Sequence, residues 1–252
     1  MKQINHCRAF CEVVGNIKLF KYQIDFLKSC LDSHRVIGVF SRQTGKTTMI
    51  SLFAIYMALQ EDNYKVLIIA PTDRQAGELF GRLSNSARSS GLTAQFIKSS
   101  TMREIVFINE SYIRAMTTGD FGDTIRGQTA DMIILEESSY IKSDIVGKVI
   151  IPMIASRGSD GRIIQIGTPF FKNHFYESFM SDKYSSHNYD YTNCPLITEE
   201  FIQEQKKNLT KMEFAMEYEA KFIEDSDCYF SSELIHQSIG NYVMIKREEI
   251  YG

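Results

Sequence analysis

Several features are missing from this 252-residue sequence, and each absence excludes a class of protein. No apolar run approaches the ~20 residues needed to cross a bilayer, so the sequence predicts no membrane span. The N-terminus, Met1-Lys2-Gln3-Ile4-Asn5-His6, is not followed by the apolar region of a secretory signal. No internal repeat and no low-complexity tract is visible. The sequence therefore predicts neither a membrane protein nor an exported one.

A metal-binding cysteine pattern is also missing. The five cysteines are odd in number and scattered along the chain: Cys7, Cys11, Cys30, Cys194 and Cys228. This usage favours reduced thiols in a cytosolic setting over a disulfide framework. His6 lies beside the first two cysteines, but no second Cys/His pair follows at zinc-finger spacing, so we predict no zinc site.

The chain has no excess of positive charge. Its net charge is −3, which gives no overall basic field for nucleic acid. Any contacts with DNA would have to be local, or an oligomeric ring would have to assemble them. Apolar residues make up 44% and charged residues 23%, which is typical of a soluble globular protein with a substantial core.

A candidate phosphate-binding loop follows the apolar run 35–40, which predicts a buried strand. The loop consists of Ser41, Arg42, Gln43, Thr44, Gly45, Lys46, Thr47 and Thr48. A helix is predicted over 49–60, so the loop joins a strand to a helix, where backbone N–H groups and the helix dipole favour phosphate. Lys46 would reach the β- and γ-phosphates and Thr47 would hold Mg²⁺. The first glycine of the usual pattern is replaced by Phe40, and the alternative is a basic helix cap.

Three further apolar runs predict buried strands, at 65–70, 131–137 and 161–169. Helical patterns alternate with these strands, which indicates a parallel sheet with crossover helices. Ligands of such sheets bind beyond the carboxyl ends of the strands. Those ends carry Lys46 with Thr47, Glu136 with Glu137, and Thr168, so we expect these side chains to meet in one crevice.

Two adjacent carboxylates suit the hydrolysis of a nucleoside triphosphate. Glu136 is placed to hold the metal shell, where aspartate is the usual residue, and Glu137 to orient or deprotonate the attacking water. Thr168 is placed to sense the γ-phosphate or that water. The alternatives are that the two glutamates begin a solvated loop and that Thr168 belongs to a plain turn.

The remaining segments give weaker signals. Residues 1–18 are predicted to be an irregular arm, 19–31 a helix, and 103–107 with 112–116 a hairpin. Thr72 and Asp73 are predicted to cap a helix that runs to about Ser90, with a loop signal over 84–91. A helix over 143–155 is predicted to be kinked by Gly147 and Pro152. In the helix 19–31, Gln23 can read an adenine while Tyr22 stacks on the base; the alternative is a core Tyr22 and a solvated Gln23. Helices are also predicted from Thr198 to about 208 and over 210–223.

These motifs together carry a family resemblance. Tyr22-Gln23, the loop 41–47, the strand 132–137, and Gly167-Thr168-Pro169 followed by His174 look like the ATPase domain of large terminases, the DNA-packaging motor subunits of tailed bacteriophages and related viruses. The resemblance spans about 19–225. It implies an α/β, RecA-like P-loop ATPase of the additional-strand, catalytic-glutamate class, with a mostly parallel sheet flanked by helices. The change to a polar, tyrosine-rich pattern beyond Phe179 predicts an ATPase core over 1–180 and a small lid or linker subdomain over 181–252. The resemblance implies a nuclease domain beyond it, for which too few residues follow Phe230.

The resemblance also implies roles for individual residues. Tyr22 and Gln23 would recognise adenine, the loop 41–48 would bind ATP, and Thr47 and Glu136 would hold Mg²⁺. Glu137 and Lys46 would be catalytic, and Thr168 would belong to the motif that couples the γ-phosphate to DNA movement. Two arginines compete to stabilise transition-state charge: Arg42 in cis, which we favour, and Arg126, eleven positions before Glu137, as a trans finger from a ring neighbour.

The implied partners are double-stranded DNA, a portal protein, a small terminase subunit and further copies of this chain in a ring, with a monomer as the alternative for the isolated domain. The implied location is the host cytoplasm, away from membranes. Two groups of basic residues compete as DNA contacts: Arg82, Arg88, Lys98 and Arg103, or Lys206, Lys207 and Lys211. The alternative is that these are ordinary solvated surface charges. The rival functions are a helicase-type ATPase and a module that binds ATP without hydrolysing it.

Overall fold

The computed structural model describes residues 2–119, 122 and 125–223. Its centre is an eight-stranded sheet with the order β3-β4-β5-β2-β6-β7-β1-β8. The strands are β1 (Arg35–Phe40), β2 (Lys65–Ala70), β3 (Ile97–Ser100), β4 (Glu104–Phe107), β5 (Tyr112–Thr117), β6 (Met132–Glu136), β7 (Arg162–Gly167) and β8 (Ser185–Tyr189). All neighbouring pairs in the part of the sheet ordered β5-β2-β6-β7-β1-β8 are parallel, which confirms the predicted mostly parallel sheet. Strand β4 pairs antiparallel with both β3 and β5, and the pairing with β5 confirms the predicted hairpin.

Helices cover both faces of this sheet. They are α1 (Lys2–Gly15), α2 (Lys21–Asp32), α3 (Lys46–Gln60), α4 (Asp73–Ser89), α5 (Gly91–Ala94), α6 (Ser143–Ile145), α7 (His174–Met180), α8 (Glu199–Asn208) and α9 (Lys211–Glu217). The larger hydrophobic cluster packs the helices α1, α2, α3 and α4 against one face of the sheet. A second cluster covers the other face with residues of β2, β6 and the segment 141–154.

Among the described helices, α3 is the most buried, and it directly continues the phosphate loop. It is apolar around most of its circumference because it is enclosed between the sheet and the neighbouring helices α1, α2 and α4. Its side chains from Met49 to Ala58 are all buried. A helix held on all sides fixes its own N-terminus, so the loop that precedes it has a firm support.

The prediction of an irregular arm over 1–18 was wrong. Residues Lys2–Gly15 form α1, whose buried side chains Cys7, Cys11 and Val14 pack into the main core. The thiols act as small apolar groups with helical spacing. Among the described residues, no group of three or more His, Cys, Asp or Glu side chains is arranged to hold a metal ion.

Other boundaries also differ from the predictions. The helix α4, capped by Thr72, ends at Ser89, which confirms the helix predicted to end near Ser90; the loop signal over 84–91 was wrong up to Ser89. The segment 143–157 is distorted as predicted: one α-helical turn is followed by a π-helical stretch, Val146–Ile150, and a 3₁₀ stretch, Ile151–Arg157. The last described helix, α9, ends at Glu217 and not at residue 223.

The strand β8 lies just beyond the predicted domain boundary at residue 180. It pairs in parallel with β1, so the first residues of the predicted lid belong to the central sheet. The rest of that subdomain extends into 224–252, which include Cys228 and lie outside the described residues. The division of the chain near residue 180 therefore stays a prediction. No helix in the described part of the chain is long and apolar enough to span a membrane.

Candidate functional site

The phosphate loop is a tight turn between β1 and α3. Gly45 adopts a left-handed conformation with φ of 73°, and Gln43 has φ of 61°. Such angles are open to glycine, and a Cβ at Gly45 would lie 3.0 Å from Gln23 Nε2. The turn delivers Lys46 and Thr47 at the first turn of α3, which is the anion-binding end of a helix.

Three strand ends meet beside this turn, as predicted. Lys46 Nζ lies 3.1 Å from Glu137 Oε1, and the lysine side chain is only 9% exposed. Glu137 Oε2 accepts hydrogen bonds from both the backbone N–H and the hydroxyl of Thr168, each at 3.2 Å. Glu137 itself has φ of 49°, a conformation that is costly outside glycine and that turns its carboxylate back toward the loop.

Glu136 and Thr47 form the candidate metal position. Thr47 Oγ1 donates to Glu136 Oε1 at 2.5 Å, while Glu136 Oε2 is buried and has no hydrogen-bond partner in the described part of the chain. Burial raises the pKa of Glu136 to about 7. A hydroxyl and a carboxylate with a free oxygen are the hard ligands that Mg²⁺ prefers, so these residues fit that ion.

A cavity of about 410 Å³ lies on one side of the loop. Its walls are Ile17, Lys18, Phe20, Gln23, Gln43, Thr44, Gly45, Thr48, Cys194 and Leu196. Gln23 Nε2 donates to the Thr44 carbonyl at 3.1 Å, and Gln23 Oε1 accepts from the Phe20 N–H at 3.0 Å. Tyr22 is buried below the loop, where its hydroxyl donates to the same Thr44 carbonyl. Gln23 therefore faces the cavity, whereas Tyr22 supports the loop.

A second cavity, of about 330 Å³, lies at the other end of the loop. It is lined by Arg42, Thr47, Arg74, Gln75, Glu78, Leu79, Arg82, Glu136 and Glu137. The cavity contains both carboxylates and the candidate metal position. One wall is a face of α4, which the sequence analysis did not connect with the site. The spacing of Gln75, Glu78, Leu79 and Arg82 over two helical turns is the signal that was available.

The two candidate arginines lie in different places. Arg42 lines the second cavity, and its side chain pairs with Glu217 of α9, while its backbone N–H donates to the Glu217 carbonyl at 2.8 Å. The hydrogen bond to Glu217 raises the pKa of Arg42 further. Arg126 is exposed and lines neither cavity. Ser41 is buried, and its N–H donates to the Tyr189 carbonyl at 2.9 Å.

A buried polar network supports the catalytic edge. The Ser138 hydroxyl donates to Gln165 Oε1 at 2.9 Å and lies 3.2 Å from His174 Nε2. Ser139 donates to the Thr168 carbonyl at 2.7 Å. Burial lowers the pKa of His174 to about 4, so the imidazole is neutral. The network fixes the turn after β6 against the turn after β7, which carry Glu137 and Thr168.

Residues 37–237 match the family model "Terminase large subunit, T4likevirus-type, N-terminal". A terminase large subunit of Thermus virus P23-45 is 26% identical over 267 aligned positions, which cover 92% of this chain and 54% of that protein. The chain thus spans about half the length of the curated relatives that it matches.

Solved structures show the same fold. The large terminase ATPase domain of Thermus phage P74-26 matches with a TM-score of 0.74 and 22% identity, over 84% of this chain and 97% of that domain. The large terminase of a thermophilic bacteriophage, solved in complex with ATP-gamma-S, matches with a TM-score of 0.62 and 13% identity, over 81% of this chain and 53% of that one.

Proposed function

The chain belongs to the terminase large subunit family, and from this premise we propose that it is an ATP-hydrolysing motor domain that moves double-stranded viral DNA into a procapsid. The observation that carries the proposal is the contact between Lys46 and Glu137 at 3.1 Å, because it joins the phosphate loop to the carboxylate of a different strand. A lysine and a carboxylate at that separation can hold a phosphate and the water that attacks it.

The proposed roles follow the geometry. The loop 41–48 cradles the phosphates with its N–H groups, and Lys46 neutralises their charge. Glu137 orients the attacking water and accepts its proton, while the two hydrogen bonds from Thr168 hold the carboxylate in place. When bound at Thr47 and Glu136, Mg²⁺ would neutralise charge that develops on the phosphate oxygens.

The base would lie in the 410 Å³ cavity. Gln23 keeps one amide hydrogen and one lone pair that its two hydrogen bonds leave unused, which suits the donor and acceptor edge of adenine. The large terminase of the thermophilic bacteriophage, solved with ATP-gamma-S, supports a nucleotide in a site of this fold. ATP with Mg²⁺ is therefore the cofactor that we propose. Tyr22 would contribute by holding the loop from below.

The partners and larger organisation are also proposals. We propose double-stranded DNA, a portal protein and a small terminase subunit as partners, a homo-oligomeric ring as the working assembly, and the host cytoplasm as the location. The ATPase core would comprise 1–180 and the lid 181–252, with β8 shared between them through its pairing with β1. Family membership supports the partners.

Phosphate release tests the function. We expect steady-state release from ATP by the wild type, stimulated by double-stranded DNA, and a loss of at least about 100-fold in Glu137→Gln with nucleotide binding retained. Release from neither protein would instead support the non-hydrolysing ATP-binding module. DNA strand separation by the wild type would support the helicase-type ATPase.

The two arginines can be separated by assembly. We propose that Arg42 acts in cis and Arg126 in trans, because Arg42 lines the cavity and Arg126 is exposed away from it. Arg42→Ala should lose hydrolysis in the monomer and in the ring. Arg126→Ala should lose it only in assembled rings, and an equal loss in the monomer would contradict the trans assignment.

A further inference from the structure

The second cavity has a wall that no catalytic role yet explains. This wall is the face of α4 that presents Gln75, Glu78, Leu79 and Arg82, and it stands opposite Thr47, Glu136 and Glu137. The four positions follow the i, i+3, i+4, i+7 spacing of one helix face. Leu79 and Leu83 of α4 are buried in the core, so the helix that carries these polar side chains is held firmly in place.

Arg82 differs from the other two arginines of this cavity. Arg42 pairs with Glu217, and Arg74 pairs with Glu78 at 2.8 Å. In the part of the chain that the structure describes, Arg82 has neither an ion pair nor a hydrogen bond. Arg82 lines the same cavity as Thr47, Glu136 and Glu137, so its guanidinium lies in the cavity that contains the candidate metal position.

The rest of the basic group around α4 is already engaged. Arg88 donates to the Ser100 hydroxyl at 2.6 Å, Lys98 pairs with Glu110 at 2.5 Å, and Arg103 pairs with Asp73 at 2.8 Å. Arg88 lies on α4, Lys98 on β3 and Arg103 directly before β4, and none of the three lines the cavity. Arg82 therefore differs from the residues with which the sequence grouped it as a DNA contact.

We propose that Arg82 contacts the terminal phosphoryl group of the bound nucleoside triphosphate, or the phosphate ion that hydrolysis releases. The inference rests on the proposed function, since it needs a triphosphate in the neighbouring loop. A guanidinium binds phosphoryl oxygens through two parallel N–H groups, and three negative oxygens would enter a cavity where Glu136 and Glu137 already repel them. Arg82, on the wall formed by α4, adds a positive charge at the γ-phosphoryl end of the site and so discriminates a triphosphate from a diphosphate.

Binding measurements with matched variants test this role. The affinities of ATP-gamma-S and ADP, each with Mg²⁺, are measured by calorimetry for the wild type, Arg82→Gln, Arg82→Lys and Arg88→Gln. We expect Arg82→Gln to weaken ATP-gamma-S at least tenfold, or about 1.4 kcal/mol, with ADP unchanged within about twofold. Arg82→Lys should recover part of the loss, and Arg88→Gln, which removes the same charge from the same helix, should match the wild type.

A second arm distinguishes the two phosphate sources. Inorganic phosphate is titrated into the ADP complex. Weaker phosphate binding in Arg82→Gln assigns the contact to the released ion, and weaker ATP-gamma-S binding alone assigns it to the γ-phosphoryl group. Thermal midpoints measured alongside show whether each variant is folded, and Arg82→Lys provides the test if Arg82→Gln is not.

Three results would overturn the inference. The first is an equal affinity for ATP-gamma-S in the wild type and Arg82→Gln, without a change in phosphate binding. The second is an equal loss of affinity for ATP-gamma-S and ADP. The third, from a hydrolysis assay, is a loss confined to DNA-stimulated hydrolysis, which would make Arg82 a DNA contact. Failure of the wild type to bind either nucleotide would overturn the proposed function as well.

Discussion

Glu136 combines a functional position with an electrostatic cost. One of its oxygens accepts from Thr47, and the other is buried without a partner among the described residues. An ionised carboxylate in such a place destabilises the folded protein by a few kcal/mol until a cation arrives. The same property that suits the residue to Mg²⁺ therefore makes it unfavourable in the protein without ligand.

The variant Glu136→Gln should be more stable than the wild type without ligand. It removes the buried charge and keeps an acceptor for Thr47, so we expect a gain of about 1–2 kcal/mol in the free energy of unfolding at pH 8. Urea denaturation measures the gain, with Glu110→Gln as a surface control. The stabilised variant should lose Mg²⁺-dependent nucleotide binding, and a destabilised variant would contradict this account of Glu136.

His174 gives the molecule a dependence on pH. Its pKa in the folded protein is about 4, below the ordinary value of 6.5, because of burial. Below pH 6.5 the unfolded chain binds a proton that the folded protein does not, so stability is present above 6.5 and falls as the pH drops toward 4. By about pH 5 the loss should reach about 2 kcal/mol.

A comparison of three proteins isolates this effect. We expect the free energy of unfolding of the wild type to fall between about pH 7 and pH 5 more steeply than that of His174→Gln, by about 2 kcal/mol. His34→Gln, which changes a histidine outside the buried core, should keep the wild-type slope. Parallel slopes for the wild type and His174→Gln would show that His174 is not buried as a neutral imidazole.

Among the elements, strand β1 and helix α2 approach each other closely. A Cβ at Gly38 would lie 2.6 Å from the ring of Phe26 and 2.3 Å from the ring of Phe40, so glycine is required there. Phe26 and Phe40 meet edge to face with centroids 5.1 Å apart. This contact fixes the distance between α2 and β1, and thus the position of the phosphate loop that follows β1.

Two glycine substitutions should therefore have opposite signs. We expect Gly38→Ala to lower the free energy of unfolding by about 1–3 kcal/mol through overpacking. Gly81→Ala lies inside α4 with no atom near the new methyl group, and it should raise stability by about 0.5–1 kcal/mol. Chemical denaturation measures both, and a neutral Gly38→Ala would contradict the close packing of α2 on β1.

Elements with strong periodicity were predictable from the sequence, and those defined by tertiary pairing were not. The strand ends at Lys46, Glu136 and Thr168 were placed correctly because buried parallel strands are continuous apolar runs. Helix α1 was not predictable in this way, because two of its three buried side chains are cysteines, which also suit a metal site. Strand β8 is a polar Ser-Ser-His-Asn-Tyr segment whose conformation comes from pairing with β1, which no local pattern records.

At the scale of the whole molecule, the segment 189–217 is hydrogen-bonded to the phosphate loop. Ser41 bonds to Tyr189, and Arg42 bonds to Glu217 through both its backbone and its side chain. The partners Arg42 and Glu217 are 175 positions apart, so no local sequence pattern indicates the pairing. A displacement of α9 should therefore shift the loop that would hold the phosphates.

Hydrogen exchange measures this connection. Glu217→Gln should raise amide exchange about two- to fivefold in both 41–45 and 211–218, because a partly exposed ion pair contributes about 0.5–1 kcal/mol. Glu219→Gln removes the neighbouring pair with Lys221 and should leave exchange in the loop unchanged. Faster exchange in 211–218 alone would show that the helix and the loop are not linked.

The central claim is that the ends of β1, β6 and β7 form one triphosphate site. A crystal structure with ATP-gamma-S and Mg²⁺ tests it most directly. The account predicts that the phosphates lie in the loop 41–48, that the metal lies about 2.0–2.1 Å from Thr47 Oγ1, and that Glu137 faces the γ-phosphorus. A nucleotide bound away from these three strand ends would contradict the account.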